Sequence, residues 1–238
     1  MLIKDKAIIL GLIKYNDNDV IVKCFTKETG FTSYFIKALR NSKKGKLKKA
    51  FFQVNNILNI VTTNKAKGQL EYIREAQPAY HHKSLFQDFD KINMSTFMRE
   101  ILLQSLKNER ADIQLYHFIE QEFIKLDQTD FKPDTHVYFL LKLSQFLGFS
   151  PQIDTQGNYF DMENGIFSQK IPLGNFLNQK ESNLLKSLLG TIFDTNKNIK
   201  LNNNDRRTSI DFLLKYYQLH LENFALPKSL PILNEIYR

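Results

Sequence analysis

One cysteine, no long apolar run and no acidic residue between Glu28 and Glu71 are the first things to weigh in this 238-residue chain. A single cysteine excludes an intramolecular disulfide and any multi-cysteine zinc site. Cys24 falls in a strand-like run and reads as a small buried apolar residue. No stretch reaches the roughly 18 apolar residues of a membrane span, and Met1-Leu2-Ile3-Lys4-Asp5-Lys6 lacks the apolar core of a secretory signal. A cytoplasmic protein with no membrane partner is expected. A G-x-x-x-x-G-K-[ST] phosphate loop is also missing, so any nucleotide hydrolysis would belong to a partner.

The missing carboxylates leave a one-sided segment. Lys37, Arg40, Lys43, Lys44, Lys46, Lys48, Lys49, Lys65 and Lys67 lie between Glu28 and Glu71. Residues 1–80 hold 15 Lys+Arg against 6 Asp+Glu, whereas the remainder holds 18 against 19. The formal charge of +8 thus sits in the first third. Solubility alone asks only for dispersed charge, so concentration points to a polyanion such as nucleic acid, with a solvated lysine loop as the plainer alternative.

The first 80 residues read as short β runs at Ala7–Lys14, Asp19–Thr26, Phe31–Ala38, Phe52–Val61 and Gly68–Glu75. Five strands in a small basic domain predict an OB barrel. Gly30 would close a hairpin after Lys27-Glu28-Thr29, and Gly11 would mark the bulge or bend that barrel closure requires. After Tyr80 the period changes. Met94, Phe97, Met98, Ile101 and Leu102 mark one helix, and Leu115, Ile119, Phe123 and Leu126 a second. A third starts after Pro133-Asp134, with Asp134 as N-cap, and ends at Gly148. Asn164-Gly165 between Phe160 and Phe167 predicts a type I′ hairpin within Tyr159–Ser168. Helices then resume over Lys180–Leu189 and Asp205–Asn223, with Lys197–Asn204 as a polar loop. The fold class expected is α+β: a five-stranded OB barrel over 1–80, then a helical domain over 81–238 with a hairpin insert near 153–171.

This order resembles the RecO family of bacterial recombination mediators. The resemblance rests on Asp19 through Phe25-Thr26-Lys27-Glu28-Thr29-Gly30, on the basic run Ala38-Leu39-Arg40-Asn41-Ser42-Lys43-Lys44, on Phe146-Leu147-Gly148-Phe149-Ser150-Pro151, and on Leu219-His220-Leu221 with Leu226-Pro227-Lys228-Ser229. One departure stands out. Many family members place four cysteines around the hairpin to hold zinc, and Ile153–Ile171 has neither cysteine nor histidine. No metal is expected there, and Tyr159, Phe160, Ile166 and Phe167 should hold the insert by packing.

What the resemblance implies is DNA repair: binding of single- and double-stranded DNA, annealing of complementary strands, and, with RecR, loading of RecA onto DNA coated by single-strand binding protein. The implied partners are DNA, RecR and the acidic tail of single-strand binding protein, with RecA indirectly, at the nucleoid; no cofactor is implied. The residues give this a physical basis. Lysines would neutralise phosphates without reading sequence, and a strand-borne aromatic ring would stack on bases. Tyr34 or Phe35 must face outward by alternation; Tyr34 is the stacking candidate, with capping of the barrel core as the alternative. The DNA-binding set is therefore Tyr34, Lys37, Arg40, Lys43, Lys44, Lys46, Lys48, Lys49, Lys65 and Lys67. Arg206, Arg207 and Lys215 are candidates for an acidic partner tail, because two arginines at a helix start oppose its dipole. No catalytic residue is expected: a metal-dependent nuclease needs converging carboxylates beside the DNA, and 29–70 has none. His81-His82 reads as part of a solvated connector. An OB-fold RNA-binding protein and a protein-docking adaptor are the rival functions.

Overall fold

A computed structural model describes residues 2–16, 18–37, 47–63, 71–107, 109–152, 156–193 and 200–236. It forms two compact units, Met1–Asp130 and Phe131–Arg238. In the first, strands β1 (Leu2–Lys14), β2 (Val20–Thr26), β3 (Gly30–Ile36), β4 (Ile57–Thr63) and β5 (Glu71–Pro78) close a barrel in the order β1-β2-β3-β5-β4. The five-stranded barrel followed by helices is the architecture the sequence predicts. The parallel pairing of Tyr34 with Glu71 and Phe35 with Tyr72 completes closure. The β1–β2 register shifts between Ile9 and Gly11, so the bulge expected near Gly11 is present. Gly30 takes φ +76°, and a Cβ there would meet the backbone of Arg110 and Ala111 at 2.6 Å.

Alternation assigns each strand an inner and an outer face. Ala7, Ile9, Val22, Cys24, Tyr34, Ile36, Leu58, Ile60, Ile73 and Ala76 fill the barrel, with Phe52 of a 3₁₀ turn (Lys49–Phe52) as a plug. Outside, the register aligns Phe25, Ile8 and Ile57 in one row across β2, β1 and β4. All three are fully buried. Helices α1 (Phe89–Ser105) and α2 (Ile113–Gln128) belong to the same unit, and Tyr116 of α2 stacks on Phe25 with ring centres 6.3 Å apart. Both helices are N-capped by aspartates, Asp88 and Asp112, whose carboxylates accept backbone N–H bonds of the first turn.

The segment between barrel and helices is fastened by one carboxylate. Asp127, near the end of α2 and buried, accepts from the backbone N–H of Lys83, Ser84 and Leu85 and from the Tyr80 hydroxyl at 2.8–3.0 Å. Desolvation pushes against its charge, but the donated hydrogen bonds win and hold the carboxyl down at about 2. His82, expected in solvent, is instead packed between the rings of Tyr80 and Phe86, and its Nε2 donates to Asn55 O at 3.0 Å. Asn55 has φ +70°. His81 is exposed, so neighbouring histidines have opposite environments.

In the second unit α3 (Thr135–Phe146), α4 (Gln179–Phe193) and α5 (Asn203–His220) pack together, and α6 (Leu230–Ile236) ends the chain. Between α3 and α4 lies a small sheet in the order β7-β6-β8, made of β6 (Tyr159–Asp161), β7 (Ile166–Ser168) and β8 (Phe176–Leu177). The hairpin turn is not type I′. That turn needs positive φ at both Asn164 and Gly165, and only Gly165 (φ +68°) has it. The Asp161 carboxylate instead accepts from the N–H of Glu163 and Asn164, an Asx arrangement that closes a four-residue loop. Phe160 is buried against Phe167 and Tyr216, and Met162 O accepts from His220 Nε2 at 2.9 Å. Phe149 lies parallel to the His220 ring and accepts the Tyr216 hydroxyl at its carbonyl. Of the four residues expected to hold the insert, Ile166 is exposed, and α5 supplies what it does not.

Candidate nucleic-acid interface

Opposite in character to the covered Phe25–Ile8–Ile57 row is a second outer row. Register aligns Ile13, Ile21, Phe35 and Tyr72 across β1, β2, β3 and β5. Phe35 is the outward member of its pair and Tyr34 the inward one. Tyr34 is fully buried, its hydroxyl lies 3.2 Å from Thr29 Oγ1, and burial raises its pKa to about 12. The stacking role expected of Tyr34 is thus unavailable in this arrangement. The ring of Phe35 meets Tyr15 and Tyr72 edge to face, with centres 5.6 and 5.7 Å away. Tyr15, just beyond β1, is 63% exposed.

Cations border this row. Lys23, paired with Ser33, lies one outward row away on β2. On the other side Lys37 follows β3, and Arg74 of β5 stands over the Tyr72 ring at 5.9 Å; both are exposed. Lys48 and Lys49 are exposed at the 3₁₀ turn, with Lys48 Nζ 5.4 Å from the Phe51 ring centre. Arg40, Lys43, Lys44, Lys46, Lys65 and Lys67 lie outside the described residues. Glu71, the first residue of β5, lies beside Tyr34 of β3.

The arrangement offers mobile cations beside aromatic faces, which suits sequence-tolerant phosphate and base contact. Tyr15, Tyr72 and Arg74 are absent from the set read off the sequence. Tyr72 and Arg74 are flanked by Glu71 and Glu75, which masks them in a charge scan; alternation puts them on the outer face once Ile73 is known to be inside.

The arginines expected to meet a partner tail separate. Arg206 is buried, and its guanidinium is consumed by Asp134 Oδ1 at 2.7 Å, Leu201 O at 3.2 Å and Asn203 Oδ1 at 3.1 Å. This pairing also explains why Asp134 makes no side-chain cap bond to α3 as expected: its carboxylate serves α5. Arg207 is exposed and shares with Arg206, His136, Asn203, Asn204, Asn234, Ile210 and Leu233 the lining of a cavity of about 230 Å³. Lys215, exposed on α5, is not in that lining. Among the described residues, no cluster of three or more His, Cys, Asp or Glu could hold a metal ion, and no helix is long and apolar enough to cross a membrane.

Comparison with known proteins agrees along the whole chain. Residues 1–81 match the family described as recombination protein O, N terminal, and residues 86–230 its C-terminal counterpart. A DNA repair protein RecO of Christiangramia forsetii is 38% identical over 238 residues, covering all of both chains. Those of Flavobacterium psychrophilum and Phocaeicola vulgatus are 36% and 30% identical, again over full lengths. On these matches and on its barrel-then-helices order, the chain belongs to the RecO family.

Proposed function

We propose that this protein is a DNA repair and recombination mediator whose basic barrel holds DNA through its phosphates and anneals complementary strands. The observation that carries the reading is the confinement of all net positive charge to residues 1–80, the stretch that folds as a closed barrel. Lys37, Lys48, Lys49 and Arg74 project from it into solvent. Bringing two polyanions together is opposed by their mutual repulsion. Lysines that neutralise both strands lower this barrier, and contacts confined to phosphates and base faces leave the pairing edges free. No bond is made or broken, so the activity needs no catalytic group or cofactor.

The finer parts of the reading concern partners. Arg207 is an exposed cation at a recess lined by Ile210 and Leu233 together with His136, Asn203, Asn204, Arg206 and Asn234, a largely polar setting in which the charge of an acidic peptide would pair with Arg207. The tail of single-strand binding protein is that kind of peptide, and cooperation with RecR to load RecA would follow from holding both tail and DNA. Arg206 lines the same recess, but its guanidinium is committed to Asp134, which leaves Arg207 as the cation for a partner.

The test is annealing followed by fluorescence transfer between labelled complementary strands. The native protein should accelerate annealing at low salt, and the variant with Lys43, Lys44, Lys46, Lys48 and Lys49 changed to Ala should lose most of that acceleration. Equal acceleration by a folded variant would remove the basic barrel from the mechanism.

A further inference from the structure

We infer that the Tyr15–Phe35–Tyr72 face is a single-strand subsite, so that single-stranded and duplex DNA are held by different residues of the same barrel. The inference rests on the DNA-binding reading above. The register stacks Ile13, Ile21, Phe35 and Tyr72 into one apolar stripe across four strands. The equivalent stripe Phe25–Ile8–Ile57 is fully buried within the unit, whereas this one is partly open: Phe35 is buried and Ile21 and Tyr72 half-buried, but Ile13 is 45% exposed and the adjoining Tyr15 63%.

The borders of the stripe say what covers it. Lys23 lies on one side and Arg74 on the other, and successive outward rows on a strand are about 7 Å apart. An apolar protein surface would gain nothing from flanking cations. A chain with flat apolar rings and a regularly spaced anionic backbone meets both features, and a single strand of nucleic acid has that chemistry. Phe35, itself buried, meets the Tyr15 and Tyr72 rings at 82° each and restrains both rings beside the bordering cations. Arg74 over Tyr72 adds a second planar group at which a base can stack or a phosphate can pair.

A duplex cannot use this stripe. Its bases are stacked on one another about every 3.4 Å along each strand, so the faces that Tyr15 and Tyr72 need are already covered. Duplex DNA therefore meets only the cations. The aromatic residues add affinity to the unpaired form alone.

The experiment measures binding of a labelled single strand and of a matched duplex by anisotropy at one salt concentration, for the native chain, for Tyr15→Ala/Tyr72→Ala and for Tyr15→Phe/Tyr72→Phe. Single-strand affinity of the alanine variant should fall by at least about tenfold with duplex affinity within twofold of native, while the phenylalanine variant keeps both. A 2-aminopurine base in the strand should change its fluorescence with the native protein and not with the alanine variant. Equal losses for both DNA forms, or no loss for either, would overturn the inference and leave DNA binding intact. A native protein that binds neither form would instead sink the DNA reading itself. Should Tyr72→Ala unfold the barrel, Tyr15→Ala alone carries the same comparison, since that ring is mostly in solvent.

Discussion

Replacing Asp127 by Ala should cost more stability than any surface change in the chain, because one carboxylate there satisfies the backbone of a whole turn. It accepts from the N–H of Lys83, Ser84 and Leu85 and from Tyr80 Oη. Once the oxygens are gone the buried Leu85 N–H loses its acceptor, and an unsatisfied buried donor costs about 1–3 kcal/mol. The titration gives an independent scale. A carboxyl at about 2, against an ordinary 3.8, is worth about 2 kcal/mol at neutral pH. The two routes converge on a loss of about 2–4 kcal/mol, or a fall in Tm of the order of 10 °C for the unit that contains Asp127. The sign with pH follows from the depressed value: this contribution is complete above about pH 4 and is lost as the pH falls toward 2. Thermal unfolding followed by circular dichroism at pH 7 and pH 3 measures both. Asp127→Asn should reduce the loss between those pH values as well as the stability, since it removes the titrating group. A midpoint within 2 °C of native for Asp127→Ala would refute the assignment of Asp127 as the fastener.

Three further outcomes are expected. His136, buried and pressed further by Arg206, is held neutral down to about 3, so the unfolded chain takes its proton first and stability should fall below pH 6.5 by up to about 1.4 kcal/mol per unit; His136→Phe should flatten that slope in urea titrations between pH 7 and pH 5. Gly30→Ala combines positive φ with backbone at 2.6 Å from the new methyl, so a loss above about 2 kcal/mol should appear in thermal unfolding, and a neutral effect would contradict the local geometry. Arg206→Ala should lower Tm by leaving Asp134 unpaired, whereas Arg207→Glu should leave Tm unchanged and weaken binding of an acidic, phenylalanine-ended peptide; the reverse pattern would exchange the roles assigned to the two arginines.

The barrel was legible because its strands alternate and its turns carry glycine, yet the starts and ends were not. β1 begins at Leu2, five residues before the alternating run, because Lys4, Asp5 and Lys6 look like a polar leader. Asp5 is in fact buried and accepts from Glu28 N, a partner 23 residues away that no local pattern announces. The same limit explains Tyr34 and Phe35. Alternation says that they point opposite ways, but which one points inward depends on pairing with β2 and β5. β8 and α6 escaped because two residues and seven carry too little periodicity. Arg206 looked available because its partner Asp134 lies 72 residues earlier. Charge, by contrast, is additive along the sequence, and the basic character of the first third needed no coordinates.

The proposed DNA interface is this basic barrel. Anisotropy of a labelled single strand across a salt series, comparing native protein with Lys43, Lys44, Lys46, Lys48 and Lys49 all changed to Ala, tests it most directly. The folded variant should lose affinity and salt dependence together, the slope of log affinity against log salt falling by roughly 0.7 for each phosphate contact removed. Identical affinity and slope for the two proteins would contradict it.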